Sequence, residues 1–408
     1  MRKISKLSLV AAVAVAGFST ANAQPLEEAI KNVEVSGSVV YRYNDSNDER
    51  EVNGVKLNDK SNTNNNYKIG LNLSSKVNDY VKFNSRFLVS NPGLFSDNGF
   101  ASLNTQTTGD ASPEVRLSHA NFAFTGIKNT TITAGKQGLT TPWTVAIDSD
   151  GGEQSGTGVL AITTVGPVSF AGAYFNQTNL DKSGDAITTL TAIQTINKNL
   201  GATDIATAGI IGNLEVVTLD AWYLNMKDVF DTYTVGAKSD FKFDGGKIGF
   251  DARYVYLDPA ESLVKEQELA KIAVSGNVGI VNAKVAYAWT GKDGGTTAID
   301  NDAETTLLGW NLNANSKTDA DYWQLVLGVN VLDNLNLSAN YGNIQWNPNA
   351  TTEREQEEIY AQVTYKMSKN LSTYVRYGTF TDEQTVSGTK TKLYDGENVG
   401  RLQVEYTF

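Results

Sequence analysis

The sequence predicts an all-β fold, a transmembrane antiparallel up-and-down β-barrel of about 18 strands, with about 16 as the alternative. Three observations point there. Much of the chain divides into segments of roughly ten residues in which apolar and polar side chains alternate, the period of a strand whose faces meet different surroundings. Short turns and long polar connections alternate between those segments, which sorts them to opposite ends of a meander. Charges crowd one face of the strands and leave the other almost empty. Burying so many charges in a soluble core is prohibitive, and a lone charge facing lipid near the midplane costs roughly 2–4 kcal/mol. The apolar face therefore meets lipid, and the charged face lines a water-filled lumen.

The chain opens with Arg2, Lys3 and Lys6, an apolar run over residues 7–18, and then Ala21-Asn22-Ala23. Basic start, short apolar core and A-x-A ending predict a signal peptide over residues 1–23, cleaved after Ala23. The run is short of the roughly 18 apolar residues that a helical span needs. Cleavage removes three basic and no acidic residues, so the net charge moves from −11 to −14. That charge argues against a nucleic-acid partner. Residues 24–408 read as a single barrel domain: Gly (36) and Tyr (18) are plentiful, Pro (7) is scarce, and no linker-like stretch or Cys occurs.

Residues 24–32 read as a short periplasmic lead, and strand patterning begins at Val33. Val33, Val35, Gly37, Val39, Tyr41 and Tyr43 point outward, with Glu34, Ser36, Ser38 and Arg42 inward. Segment 65–75 sets Tyr67, Ile69, Leu71 and Leu73 against Lys68 and Asn72, and 80–90 sets Val81, Phe83, Phe87 and Val89 against Lys82, Asn84 and Arg86. The unit recurs at 246–257, 281–290, 322–332, 335–344 and 357–367. Weaker copies fall at 115–125, 130–137, 158–165, 168–176, 206–212, 214–224, 232–243, 268–278 and 371–380. In 115–125 the phase that turns Leu117 outward leaves Phe122 and Phe124 inward, which a bulge near Ser118-His119 repairs. The uncharged stretch 158–175 is long enough for a membrane helix, but Gly166-Pro167 interrupts it and it reads as a hairpin.

Long polar connections fall at 44–64, 91–114, 138–157, 177–205, 291–321, 345–356 and 381–397, all expected on the external side. Tyr41, Tyr43, Tyr287, Trp289 and Tyr341 suit interfacial aromatic girdles. The last strand alternates strictly, with Leu402, Val404, Tyr406 and Phe408 on one face and Arg401, Gln403 and Glu405 on the other. An even strand count brings both termini to the short-turn side, where Phe408 is expected beside Val33 to close the barrel.

Acidic loop residues opposite wall cations set a transverse field across a narrow waist and filter solutes by charge. The connection 138–157 carries Asp148, Asp150 and Glu153, and the candidate wall cations are Arg42, Lys68, Lys82 and Arg86. Asp148, Asp150 and Glu153 also have spacing compatible with oxygen ligation of Ca²⁺, without the full twelve-residue hand. No other cofactor is called for. Two alternatives are an adhesin or receptor acting through the long loops, notably 44–64 and 291–321, and a barrel hydrolase. The hydrolase is the weaker, because the single histidine, His119, lacks a Ser or acidic partner at motif spacing.

Residues 116–137, with Gly126 and Ala134-Gly135-Lys136-Gln137, resemble the general bacterial porin pattern. Pro25-Leu26-Glu27-Glu28-Ala29-Ile30, Trp143, Ala146-Ile147-Asp148, Gly156-Thr157-Gly158-Val159 and the Arg401-Leu402-Gln403 ending resemble the Campylobacter-type major outer membrane proteins. The final strand, with Phe408 last, resembles the signal read by the barrel-assembly machinery. The resemblance implies a homotrimeric porin in the outer membrane of a Gram-negative bacterium, contacting its lipid and lipopolysaccharide. It implies passive diffusion of ions and small hydrophilic solutes, with a weak cation preference. It further implies that loop 138–157 folds inward as a constriction, with Lys136 at the position of the family's basic residue.

Overall fold

Antiparallel pairing carries the chain round a closed cylinder. The computed structural model describes residues 33–52, 55–90, 99–104, 114–183, 185–186, 190–191 and 199–408. The expected signal peptide and periplasmic lead lie outside them. The strands are β1 (Val33–Val52), β2 (Val55–Lys76), β3 (Val81–Ser90), β4 (Ala101–Asn104), β5 (Glu114–Phe124), β6 (Thr130–Gly138), β7 (Ser155–Val165), β8 (Val168–Thr178), β9 (Ile205–Leu214) and β10 (Val217–Met226). They continue with β11 (Phe230–Phe243), β12 (Gly246–Pro259), β13 (Gln267–Val278), β14 (Val281–Thr290), β15 (Asp321–Leu332), β16 (Leu335–Asn349), β17 (Thr352–Lys366), β18 (Leu371–Val386) and β19 (Thr389–Thr407). β19 pairs back onto β1, and eighteen strands close the barrel. The extra one, β4, prolongs the line of β3 by pairing with β2 beyond the Ile69–Val89 pair.

Every expected strand segment falls on a strand, and the bulge is where the phase required it. Arg86 faces His119 while Phe87 faces Leu117, so Ser118 has no partner on β3. The extra residue turns Leu117 and Phe122 both outward and buries Ser118 and Asn121 inside. Outward positions such as Val35, Phe250, Ile272, Leu325, Ile359 and Val363 are exposed apolar side chains, a surface made for lipid. Aromatic rings thicken both rims of that surface. Tyr233 stacks between Tyr223 and Tyr256 at 6.3 and 5.4 Å, and Tyr287 packs on Trp323 at 4.2 Å. At the other rim Phe241 meets Phe250 at 5.9 Å and Tyr406 meets Phe408 at 5.8 Å. No helix among the described residues is long and apolar enough to cross a membrane.

The seam lies four residues from where it was expected. Phe408 sits opposite Gly37, not Val33, with Gly37 N donating to Phe408 O at 2.9 Å and Phe408 N donating to Gly37 O at 3.1 Å. Among the described residues Val33 pairs only on its other side, with Ser75. Closing a tilted sheet forces this stagger between first and last strands. A side chain at Gly37 would strike the Phe408 ring. Deleting Phe408 should therefore lower the yield of folded, heat-modifiable barrel several-fold while leaving the conductance of surviving channels unchanged. Densitometry of unboiled gels beside single-channel recording checks both halves.

The long connections are corrected in kind. Segments 44–64, 345–356 and 381–397 are mostly strand, because β1, β2 and β16 to β19 run on as paired ribbons. Water wets both faces there, so apolar alternation disappears although the backbone still pairs. These six neighbouring strands, of 15 to 22 residues, make one side of the barrel tall. Segment 291–321 was expected outside and instead folds into the lumen. Its Leu307, Leu312, Ala314 and Ala320 pack on inward Leu269, Ala286, Ala288, Tyr322, Ile344 and Trp346. Leu180 and Leu200 from segment 177–205 join Leu139, Trp143 and Ile299 against inward Leu224, Met226, Val255 and Leu257. The inner wall is thus apolar where it carries loops and polar elsewhere. Apart from β4 and its approach, segment 91–114 lies largely outside the described residues.

Candidate functional site

Strand alternation places Arg42 on β1, Lys68 on β2 and Arg86 on β3 along the inner wall, in neighbouring registers. Gly70 leaves the space through which the Arg86 guanidinium reaches inward. All three side chains are buried, which charged groups permit only when paired. Their partners come from the loop joining β6 to β7.

Glu153 is the anchor. Its carboxylate accepts from Arg86 Nη2 at 2.7 Å and Nε at 3.0 Å, from Lys68 Nζ at 2.9 Å, and from Ser118 Oγ at 2.7 Å. The bulge in β5 therefore supplies a hydrogen-bond donor to the β6–β7 loop. Burial alone would raise the Glu153 pKa, but the bonds and charges of Arg86 and Lys68 hold it below the ordinary range. Lys68 also donates to the Gly151 carbonyl. Asp150 is held at the loop tip by Arg42 at 2.9 Å and Arg401 at 3.2 Å. The tip turns at Gly151, where φ is +83°, a conformation glycine adopts freely. A Cβ there would strike Phe100, whose ring lies 4.3 Å beneath the Arg42 guanidinium carbon.

Asp148 is bonded instead by the Gly152 N–H at 2.7 Å. It meets Asp300 and Asp302 of loop 291–320, with one ligand-capable oxygen of each within 4.8 Å of the others. The two loops are tied by Ile299 N to Trp143 O at 2.8 Å, Thr305 N to Pro142 O at 3.1 Å and Ser149 N to Asp302 Oδ2 at 2.8 Å. Burial pushes Asp148 up to about 6, with Asp185, Asp302 and Asp150 adding repulsion against the Gly152 N–H. Burial and the neighbouring Asp148 push Asp300 up to about 8. Asp300 is 1% exposed and its Oδ2 has no hydrogen-bond partner among the described residues.

Of the residues singled out in the sequence, the fold brings together Arg42, Lys68, Arg86, Asp148, Asp150 and Glu153. It leaves two apart. Lys82 lies beside the 77–80 turn, 3.7 Å from Glu34, at the periplasmic mouth. Lys136 faces Ala120 across β5 and β6 and donates to Leu117 O at 3.0 Å. The expected calcium set also divides: Asp150 and Glu153 are taken by cations, and Asp148 finds Asp300 and Asp302 instead. Those two aspartates escaped the sequence reading. Their signal was the apolar content of 291–320, unusual for an external loop.

One open cavity, of about 340 Å³, lies between the loops and the β14–β19 wall, lined by Lys284, Glu358, Arg376 and Arg401 with Ser149 and Asp302. Charged side chains thus line the narrowed lumen of an apolar-coated barrel.

The comparisons agree with this geometry. The profile described as Campylobacter major outer membrane protein matches residues 1–408. Among curated proteins nothing matches. Acinetobacter baumannii OccAB3 superposes with a TM-score of 0.70 at 12% identity, covering 93% of this chain and 99% of that one. Pseudomonas aeruginosa OpdK, solved with vanillate, gives 0.67 at 12% identity over 92% and 98%. Pseudomonas aeruginosa OccK2 (OpdF), solved with glucuronate, gives 0.68 at 12% identity over 93% and 96%. At such identity these likenesses bear on the fold alone. With the profile spanning the whole sequence, the chain belongs to the Campylobacter major outer membrane protein family and is an outer-membrane porin of a Gram-negative bacterium.

Proposed function

We propose that this porin passes ions and small hydrophilic solutes by passive diffusion with a weak preference for cations. One observation carries the preference. The strand cations that meet the loops, Arg42, Lys68, Arg86 and Arg253, are matched by Asp150, Glu153 and Glu304, whereas Asp148, Asp185, Asp300 and Asp302 repel one another. The excess charge at the waist is therefore acidic. A fixed negative potential there concentrates cations and depletes anions, more so at low ionic strength. Reversal potentials in a KCl gradient test this. The sign should correspond to K⁺ permeating faster than Cl⁻, with selectivity rising as salt is diluted from 1 M to about 0.1 M. A potential of anion-selective sign at both concentrations would falsify it.

The same reading makes the molecule a homotrimer, delivered by the barrel-assembly machinery and bordered by lipopolysaccharide, so conductance should appear in multiples of three. It also makes the chain a channel without catalytic chemistry. His119 sits at the bulge opposite Arg86, with its Nε2 buried and without a hydrogen-bond partner among the described residues, which is a packing role.

The donor set further supports a divalent cation, Ca²⁺ by its hardness, at Asp148, Asp300 and Asp302. The orphaned Asp300 Oδ2 fits such an ion. Bound there, it would cross-link the loops that define the waist.

A further inference from the structure

Arg376 on β18 has a surrounding that the constriction does not account for. Its guanidinium carbon lies 4.6 Å from the Tyr374 ring centre, 5.1 Å from that of Trp310 and 5.6 Å from that of Tyr360. Rings stabilise a cation but accept none of its hydrogen bonds in the plane. Among the described residues Arg376 makes no hydrogen bond or ion pair, and its Nε is buried without a partner. Every other arginine described at the waist has a carboxylate: Arg42 and Arg401 on Asp150, Arg86 on Glu153, and Arg253 on Asp220 and Glu304. Glu358, which lines the same cavity as Arg376, already accepts from Trp310 N at 2.9 Å and from Asn311 N at 2.7 Å.

We propose that Arg376 is the anchor of a solute subsite, in the 340 Å³ cavity, for a small organic monocarboxylate with an apolar or aromatic body. The planar fork of a guanidinium fits a carboxylate with two parallel hydrogen bonds. Lys284, whose described bond is a 3.4 Å contact to Gln324, lines the same cavity and adds a second cation. Leu308, Val326 and the rings of Tyr360 and Tyr374 line it as well and give an apolar body a wall. Glu358 and Asp302 also face the cavity and repel a dianion, which selects a single charge. Asp302 of the loop and Arg376 of the strand wall line the same cavity. A solute with one carboxylate is thereby oriented, charge to the strand wall and body to the loops. The inference rests on the open pore and not on the cation preference.

The test uses the full-length protein in planar bilayers. Ohmic steps in KCl are recorded first, so failure of the pore and failure of the subsite read differently. Benzoate should then reduce conductance saturably, while benzyl alcohol at equal concentration should leave it unchanged. Arg376→Gln should still form channels and, with block expressed as a fraction of each variant's own KCl step, raise the half-blocking benzoate concentration about tenfold or more, the loss of one charge-assisted pair. Arg376→Lys, which keeps the charge and removes the fork, should also weaken block, by several-fold. Equal effects of benzoate and benzyl alcohol on the unaltered protein, or undiminished block in both variants, would overturn the subsite.

Discussion

Replacing Glu153 by Gln is expected to release the constriction loop, raising single-channel conductance and lowering thermal stability together. The carboxylate side chain is fully buried and holds two cations, Lys68 and Arg86, that are themselves 6% exposed. Gln preserves volume and can still bond Ser118, so the change isolates charge. Removing one partner of a buried ion pair costs about 3–5 kcal/mol, because the remaining charges stay desolvated and unpaired. The loop has a cheaper answer, to lift away and let water reach Lys68 and Arg86. Its tip contacts through Asp150 are on an exposed carboxylate and add little. Conductance should increase about twofold, with a lower transition temperature for heat modification. The double variant with Lys68→Met should recover part of the stability, since the pair is coupled. An unchanged conductance and transition in Glu153→Gln would show that the loop is held by its apolar root at Leu139 and Trp143 instead.

The second large effect concerns the acidic cluster. Asp300 is pushed up to about 8 and Asp148 up to about 6, both above the ordinary carboxylate value near 3.9 of an unfolded chain. A folded-state pKa raised in this way means the fold prefers the protonated form. Without a divalent ion, the contribution of this pair to stability should be greatest below about pH 4, fall as pH rises and level off above about pH 8. A calcium ion bound there would oppose the same repulsion, so millimolar Ca²⁺ should raise the transition temperature at pH 8 and do little at pH 5, where protons neutralise the pair. At a hundred times its dissociation constant the ion contributes about 2.7 kcal/mol. Chelation should reverse the gain. Asp300→Asn should stabilise the ion-free protein at pH 8 and abolish its response to calcium. A transition temperature indifferent to both Ca²⁺ and chelator across this range would dispose of the site.

How much of this was legible in the residues differs by region. Wherever one strand face met lipid, the pattern of two located the strand, and the misphased Phe122 even located the bulge at Ser118. The pairing of Arg42, Lys68 and Arg86 with the 138–157 loop was readable from alternation plus resemblance. The tall ribbons were not, because backbone pairing in water leaves no apolar trace. Nor was the inward fold of 291–320, since Leu307 and Leu312 are too far apart in sequence to show a period. They pack individually into gaps of the wall, such as the small residues Ala286 and Ala288. Lys136 was transferred by likeness of position, and its register opposite Ala120 shows how little such likeness says about where an ammonium ends up.

The uneven height of the barrel bears on the kinetics of capture. β1 and β2 have 20 and 22 residues against 10 for β14; at about 3.3 Å per residue the extra ten correspond to roughly 30 Å of wall along the strand. A diffusing solute is screened from the mouth on that side and arrives mainly over the low rim. The access resistance of the channel is then set by the remaining two thirds of the circumference. Shortening the ribbons would speed arrival without altering what the waist selects.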